Sequence, residues 1–220
     1  MAERGSAAPE EEQPVGLRER KKLATRQALA IAAMRLAVQH GVENVLVEDI
    51  AEAAGVSART FNNYFSSKYE AICSLGFDRA IRVGAALRER PAGEDLWQAI
   101  ETAVMSEYGG ADQPPDPEWM AGIRVVTSTP ALRGEYLKVQ HMIQYSLAEA
   151  IAIRLGGAAA GGMFPRILAA SVTGVVQVET ERWVTSDPPV ALATLMRRGL
   201  NELADGMRRT LDTEVRSDTG

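Results

Sequence analysis

The segment 47–65 constrains the fold of this chain more than any other part of its sequence. Apolar positions recur with helical spacing before Gly55 and again after it, so two short helices flank a glycine. A tight turn between two helices needs a residue that tolerates left-handed backbone geometry, and glycine does so without strain. Close crossing also requires a small side chain, which Ala51 supplies. The spacing predicts a helix-turn-helix with helices over 47–54 and 58–65.

The second helix of this motif carries side chains that can read the edges of DNA bases. Its apolar residues Val56, Phe61 and Phe65 should pack against the first helix, which leaves a polar outer face. Arginine pairs with guanine and asparagine with adenine, so this face suits the major groove. The candidates are Arg59, Thr60, Asn62 and Asn63. From spacing alone, a helical hairpin in an unrelated α-helical protein is an open alternative.

The distribution of charge matters more than its sum. The net charge of −5 argues against a nucleic-acid partner when it is taken alone. Residues 18–35, however, carry six basic residues and one acidic residue, whereas residues 71–220 carry 15 basic and 19 acidic residues. Between Gly55 and Lys68 there is no acidic residue that would repel phosphate. The basic charge is therefore concentrated near the predicted motif.

The remainder of the chain is also predicted to be helical, because no segment alternates as a strand does. The expected fold is all-α with about nine helices and a Gly/Ala link at 156–162. We expect disordered tails at 1–16 and 213–220, a DNA-binding domain over 17–66 and a larger helical domain over 67–212. Beyond the motif, helices are predicted over 17–40, 67–90, 94–108, 117–128, 131–155, 163–185 and 190–211.

The N-terminal part resembles the TetR family of transcription regulators. The resemblance covers about residues 18–75 and makes an unrelated hairpin the weaker interpretation. Two positions depart from the family pattern: Val45-Leu46 replaces the usual Thr-Thr pair, and Ser66 replaces a proline. The residues that carry the match are Thr25-Arg26, Leu29, Ala32-Ala33, Leu36, Gly41, Val47, Asp49-Ile50-Ala51, Ala53-Ala54-Gly55-Val56-Ser57, Arg59-Thr60-Phe61, Tyr64-Phe65 and Ser67-Lys68.

The resemblance implies a regulator, usually a repressor, that binds a palindromic operator as a homodimer. Tyr64 and Lys68 should then contact phosphates, with Lys22 or Thr25 of the first helix nearby, while the outer face named above reads bases. For each residue, a solvated helix face is the plain alternative. The helices at 163–185 and 190–211 are expected to form the dimer as a four-helix bundle.

A small-molecule effector is expected to bind inside the larger domain. A few of its residues, among them Arg124, Ser128-Thr129-Pro130 and Trp183, resemble a TetR subgroup described as binding acyl-CoA-like ligands. Methionine and aromatic side chains suit an apolar ligand, and Arg124 or Gln144 could hold its polar end. For each residue, simple core packing is the alternative. The candidates are Trp97, Met105, Tyr108, Trp119, Met120, Arg124, Met142, Gln144 and Tyr145.

Other function classes find little support in the sequence. The two histidines, His40 and His141, lie on separate predicted helices, and no hydrolase, nucleotide-binding or zinc-protease motif occurs. We therefore expect no enzyme activity, no metal and no cofactor. Cys73 is interpreted as a buried small residue, with a redox sensor as the alternative. Without a signal peptide or a long apolar run, a cytoplasmic protein is expected. A ligand-free architectural DNA-binding protein is a second alternative, against which the size of the C-terminal domain argues.

Overall fold

Nearly all of the described chain is α-helical. A computed structural model describes residues 16–108 and 117–217, and no strand occurs in these ranges. None of the described helices is long and apolar enough to cross a membrane. The ten helices are α1 (Leu17–His40), α2 (Val47–Ala53), α3 (Ala58–Asn62), α4 (Lys68–Glu89), α5 (Leu96–Tyr108), α6 (Pro117–Ser128), α7 (Arg133–Leu155), α8 (Gly157–Ala160), α9 (Phe164–Thr185) and α10 (Leu192–Ser217).

The all-α fold is confirmed, and the helix count differs from the expected nine because of α8. This single turn forms within the Gly/Ala stretch that the sequence suggested was an unstructured link, where Gly156 and Gly157 adopt positive φ angles. At the C-terminus, α10 continues to Ser217 instead of ending near 211, since no glycine or proline occurs between 211 and 217 to stop it. Residues 1–15 of the expected tail at 1–16, residues 218–220 of the expected tail at 213–220, and residues 109–116 between α5 and α6 lie outside the described residues.

Helices α1 to α3 form the N-terminal head around a shared apolar core. Phe61 and Phe65 are almost completely buried, and their rings lie 5.7 Å apart between centroids. Gly55 has a φ of +70° and makes the turn between α2 and α3, as predicted. The buried Ala51 lets the two helices approach. Burial of two phenylalanines contributes about 3–6 kcal/mol of apolar transfer free energy to a head this small.

The serines at 66 and 67 end α3, the second helix of the helix-turn-helix, earlier than the sequence predicted. The α3 helix ends at Asn62 and not at Phe65. Ser67 caps α4, since its hydroxyl accepts the N–H of Glu70 at 3.1 Å. The Glu70 carboxylate in turn accepts the N–H and the hydroxyl of Ser66, at 2.7 and 2.6 Å. These bonds fix the start of α4 and leave residues 63–67 to form the connecting turn.

Two helices join the head to the rest of the protein. Helix α4 packs against α1 at its beginning and against α5 and α7 further along. Helix α6 packs against α1 as well, and Gly122 approaches so closely that an added Cβ would lie 2.9 Å from Met34 Sδ. The remaining helices enclose a second core, built around Leu87, Ile100 and Ile151. Movement of α4 or α6 would therefore displace α1 and with it the head.

Candidate DNA-binding surface and ligand cavity

The outer face of α3 presents the predicted base-reading residues to solvent. Arg59, Asn62 and Asn63 are exposed, and Thr60 is half-buried. Ser57 caps the helix by accepting the Thr60 N–H at 3.1 Å, and its hydroxyl lies 2.9 Å from the Thr60 hydroxyl. Because the buried Phe61 anchors the opposite side, the orientation of this face is fixed by the core. This face of α3 could therefore contact a DNA groove without rearrangement of the head.

Tyr64 and Lys68 lie where α3 leads into α4. Tyr64 is half-buried against the head core. The Lys68 ammonium donates to the carbonyl oxygens of Glu43 at 3.0 Å and of Val45 at 2.8 Å, so it ties the start of α4 to the turn before α2. An ammonium group has three donors, which leaves one for an anion. Lys68 can thus position the helix and face a phosphate at the same time.

The predicted contacts from α1 are placed on its surface. Lys22 is exposed and lies 3.7 Å from Glu19, while the half-buried Thr25 donates its hydroxyl to the Lys21 carbonyl at 2.9 Å. At the start of α2, the exposed Leu46 occupies the cap position without a capping side chain. The Asp49 carboxylate accepts the Leu46 N–H at 3.4 Å instead. The departure from the family's threonine therefore removes a side-chain cap and leaves the helix formed.

An internal cavity of about 90 Å³ lies between α4, α6, α7 and α9. It is mostly apolar, and Tyr108 of α5 and Leu192, the first residue of α10, complete it. Among the described residues that line it, none is acidic and one, Arg79, is basic. Burial raises the pKa of both tyrosines in its wall, Tyr108 and Tyr136, so both stay neutral phenols. The other lining residues that carry polar atoms are Cys73, Thr127, Gln140, Gln177, Thr180 and Trp183.

The structure brings two of the nine predicted effector residues to this cavity, Tyr108 and Trp119. Arg124 is exposed, and its guanidinium donates to the Val184 carbonyl. Trp97 packs into the core around Ile100, and Met120 packs beside Trp183.

The other four predicted residues also lie apart from the cavity lining, namely Met105, Met142, Gln144 and Tyr145. Met142 and Tyr145 are exposed on the outer side of α7, where Tyr145 keeps 70% of its surface accessible. The face of α7 that does line the cavity holds Tyr136, Val139, Gln140 and Ile143. Residue type alone could not select this face, because the rotation of α7 is set by its packing on α4 and α9.

Sequence reasoning missed two polar groups in the cavity wall. The Arg79 guanidinium lies over two aromatic rings, 5.1 Å from the centroid of Tyr108 and 4.8 Å from that of Trp119. Burial lowers the pKa of Arg79 below its ordinary value. The indole N–H of Trp183 is buried and has no hydrogen-bond partner among the described residues. Trp183 is among the residues that resemble the acyl-CoA-binding subgroup, but no local pattern marks it or Arg79 as part of a cavity wall, because that role depends on contacts between distant helices.

The predicted dimer helices are only partly available for a second subunit. Leu195 and Leu200 of α10 are buried within the subunit. On α9, Glu179 is buried and bonds to Arg182 at 3.0 Å. Another face of α9 remains exposed and apolar, with Ile167 and Val178 at 59% and 54% accessibility. These two residues are 11 positions apart, which places them on one side of the helix.

A helix-turn-helix head carried on a larger helical domain defines a DNA-binding transcription regulator. Residues 31–70 match the family described as bacterial regulatory proteins, tetR family, and residues 94–208 match the family described as MftR C-terminal domain. The chain belongs to the TetR family of transcription regulators, and it is not an enzyme. The sequence-based assignment is thereby confirmed.

Known proteins agree with this assignment. The HTH-type transcriptional regulator TcmR from Streptomyces glaucescens is 37% identical over 178 residues, which cover 76% of each chain. Among solved structures, Thermus thermophilus FadR in complex with lauroyl-CoA has a TM-score of 0.55 at 20% identity, over 83% of this chain and 94% of that one. NalD from Pseudomonas aeruginosa has a TM-score of 0.57 at 19% identity, over 85% and 97%. These structures share the fold.

Proposed function

We propose that the protein is a repressor that binds a palindromic operator as a homodimer and is released from it by a small, largely apolar effector. One observation carries the proposal: two of the four helices that wall the cavity, α4 and α6, also pack against α1 of the head. A ligand that prefers one arrangement of these helices shifts the spacing of the recognition helices by that preference alone. Coupling of this kind is typically worth about 1–3 kcal/mol.

DNA recognition is assigned to the exposed face of α3 and to the residues around it. Arg59, Asn62 and Asn63 would read bases, with Thr60 beside them, whereas Tyr64 and Lys68 would hold phosphates. Lys22 and Thr25 of α1 would add contacts to the phosphate backbone of the DNA. The basic start of α1 supplies a salt-dependent attraction that offsets the negative charge of the chain as a whole.

Substitutions separate the two kinds of DNA contact. Asn63→Ala should cost about 1–3 kcal/mol and relax the choice at one base position, whereas Lys68→Ala should weaken binding to all sequences. Arg88→Ala is the matched control, because it removes a positive charge from the exposed far end of α4. Selection from random duplexes followed by fluorescence anisotropy measures both effects. Failure to enrich a palindrome would refute operator binding by a two-fold dimer.

The dimer is assigned to α9 and α10, in the form of a four-helix bundle between two subunits. The exposed apolar face of α9 around Ile167 and Val178 is the part of these helices that the subunit itself leaves uncovered. A two-fold axis here would set the recognition helices about one DNA turn apart, ~34–36 Å. Light scattering should give twice the chain mass of 23.7 kDa. Val178→Arg should reduce the measured mass to that of the monomer, and Ile153→Arg on the exposed face of α7 should leave it at that of the dimer.

Effector release is tested with a variant that fills the cavity. Ile143 lines the cavity, whereas its neighbour Met142 is exposed. Ile143→Trp should therefore bind the selected operator but lose its response to ligand, and Met142→Trp should keep the response. The ligand screen begins with acyl-CoAs, because the FadR neighbour was solved with lauroyl-CoA. An Ile143→Trp protein that still responds like the wild type would show that the ligand acts elsewhere.

A further inference from the structure

Arg79 forms the wall between the cavity and a groove on the outer surface. It lines both spaces together with Trp119, and the groove lies between α1, α4 and α6. Among the described residues, Arg79 has no hydrogen-bond or ion-pair partner. Two acidic side chains around it bind other arginines, because Asp78 binds Arg26 and Glu107 binds Arg82 at 2.8 Å, and a third acidic residue, Glu118, lines the groove and not the cavity. The guanidinium is thus held by aromatic rings and keeps its N–H donors for another group.

The surroundings of Arg79 favour an anion. A cation that is partly removed from water is stabilised by aromatic faces, and it gains more from an oppositely charged partner. Burial is the main reason that the pKa of Arg79 falls, because removal from water disfavours the charged guanidinium. No acidic residue among the described cavity lining supplies that charge. A guanidinium matches the planar geometry of a carboxylate in particular, since it can donate two parallel hydrogen bonds.

Trp183 of α9 contributes a second, independent indication of a ligand. The residue is 3% exposed, it lines the cavity, and its indole N–H has no hydrogen-bond partner in the described part of the chain. Buried donors of this kind are rare in folded proteins, because an unpaired N–H loses its bonds to water. An indole nitrogen can only donate, so its partner must be an acceptor atom. The cavity therefore offers donors from two helices and no acidic acceptor.

We propose that the cavity binds an organic anion: a compact apolar or aromatic carboxylate. Its carboxylate would pair with Arg79 beside Tyr108 and Trp119, and one oxygen of the same carboxylate would also accept the indole N–H of Trp183 with its second lone pair. The volume of about 90 Å³ is smaller than that of an engineered cavity of ~150 Å³ that holds benzene, so it limits the ligand body to a single ring or a short chain. This inference rests on the proposed function, because it names the chemical class of the effector.

The experiment compares acids with their neutral isosteres on the full-length protein. Benzoate, 2-furoate and butanoate are titrated by calorimetry at pH 7.5, each beside its primary amide, which has nearly the same shape and no charge. In at least one pair the acid should bind about tenfold to a hundredfold more tightly than the amide, as the loss of a charged hydrogen bond implies. Arg79→Gln should abolish this preference and leave the amide affinity nearly unchanged.

Two further variants locate the site. Arg82→Gln removes an exposed arginine one turn along α4 that lines the outer groove and not the cavity, so the acid preference should survive. Trp183→Phe keeps the aromatic character, removes the unpaired donor, and should weaken the acid several-fold. Loss of the preference in Arg82→Gln would place the anion in the groove and overturn the proposal.

The proposal is also overturned if no acid binds more tightly than its amide, whether both bind or neither does. If Arg79→Gln fails to melt cooperatively and is therefore not folded, the acid–amide comparison on the wild type and on Arg82→Gln and Trp183→Phe still tests the proposal. An acyl-CoA that binds more tightly than every free acid, without dependence on Arg79, would equally refute it. The proposed function fails in a different way, namely when a ligand fills the cavity and leaves operator affinity unchanged.

Discussion

The ion pair between Arg26 of α1 and Asp78 of α4 should be a major tie between the head and the rest of the protein. The Arg26 guanidinium donates to both oxygens of Asp78, at 2.6 and 2.5 Å, and lies 5.0 Å from the centroid of the Phe65 ring. The two side chains are 24% and 31% exposed, so water screens them less than it screens a surface pair. Removal of either partner should loosen the contact between α1 and α4.

The expected size of this interaction follows from its geometry. A charge-assisted pair in which one guanidinium nitrogen donates to both carboxylate oxygens, and which is about 70% buried, should have a coupling energy of about 1–2 kcal/mol, above the median for exposed pairs. Arg26→Ala additionally loses the contact with Phe65, worth about 0.5–1 kcal/mol. Its total cost should therefore be about 1.5–3 kcal/mol, and Asp78→Ala should cost less.

A double-mutant cycle measures the coupling without the Phe65 contribution. Urea unfolding of the wild type, both single alanine variants and the double variant is compared at one protein concentration, because association would change apparent stability. Asp205 and Arg208 on α10 provide the control cycle, since their side chains are 58% and 69% exposed. That control should give less than about 0.5 kcal/mol. If the two cycles give the same coupling energy, the tie between α1 and α4 is no stronger than a surface pair and the reasoning is wrong.

Three further changes test the packing. Gly199→Ala should destabilise the protein by about 1–2 kcal/mol, because the added Cβ would lie 2.8 Å from a methyl group of α9. Gly206→Ala on the same helix places its Cβ where no atom lies within 4 Å, so it should stabilise the protein by up to about 1 kcal/mol in thermal melts. Burial raises the pKa of Cys73 to about 12, so thiol labelling at pH 8 should proceed only as fast as the protein opens; rapid labelling would contradict its burial. Ser67→Ala should cost about 1 kcal/mol in urea unfolding through loss of the α4 cap, and no loss would contradict that bond.

The DNA-binding head could be predicted from the sequence because its signals are local. A positive-φ glycine at 55, a small residue at 51 and apolar residues at 56, 61 and 65 determine the helix-turn-helix within 20 positions. Helix ends were less certain, since competing caps decide them. The serines at 66 and 67 shorten α3, for example, because they bond to Glu70.

The cavity could be predicted only in outline. The sequence placed the ligand site among the helices at 94–108, 117–128, 131–155 and 163–185, which omits α4. Seven of the nine candidate residues lie apart from the cavity lining, because a helix's rotation about its axis depends on every helix that packs against it. Tyr145 and Gln140 both belong to α7, and only Gln140 faces the cavity. Arg79 and Trp183 lie 104 positions apart along the chain and meet the same cavity through tertiary contacts.

The central claim is that one ligand site and one DNA site are coupled through α4 and α6. The most direct test measures operator affinity by fluorescence anisotropy with and without the tightest cavity ligand, and ligand affinity by calorimetry with and without the operator. Linkage requires that both affinities fall by the same factor, typically about 5- to 150-fold. Ile143→Trp should abolish the effect and Met142→Trp should not. A ligand that occupies the cavity while both affinities stay unchanged would contradict the account.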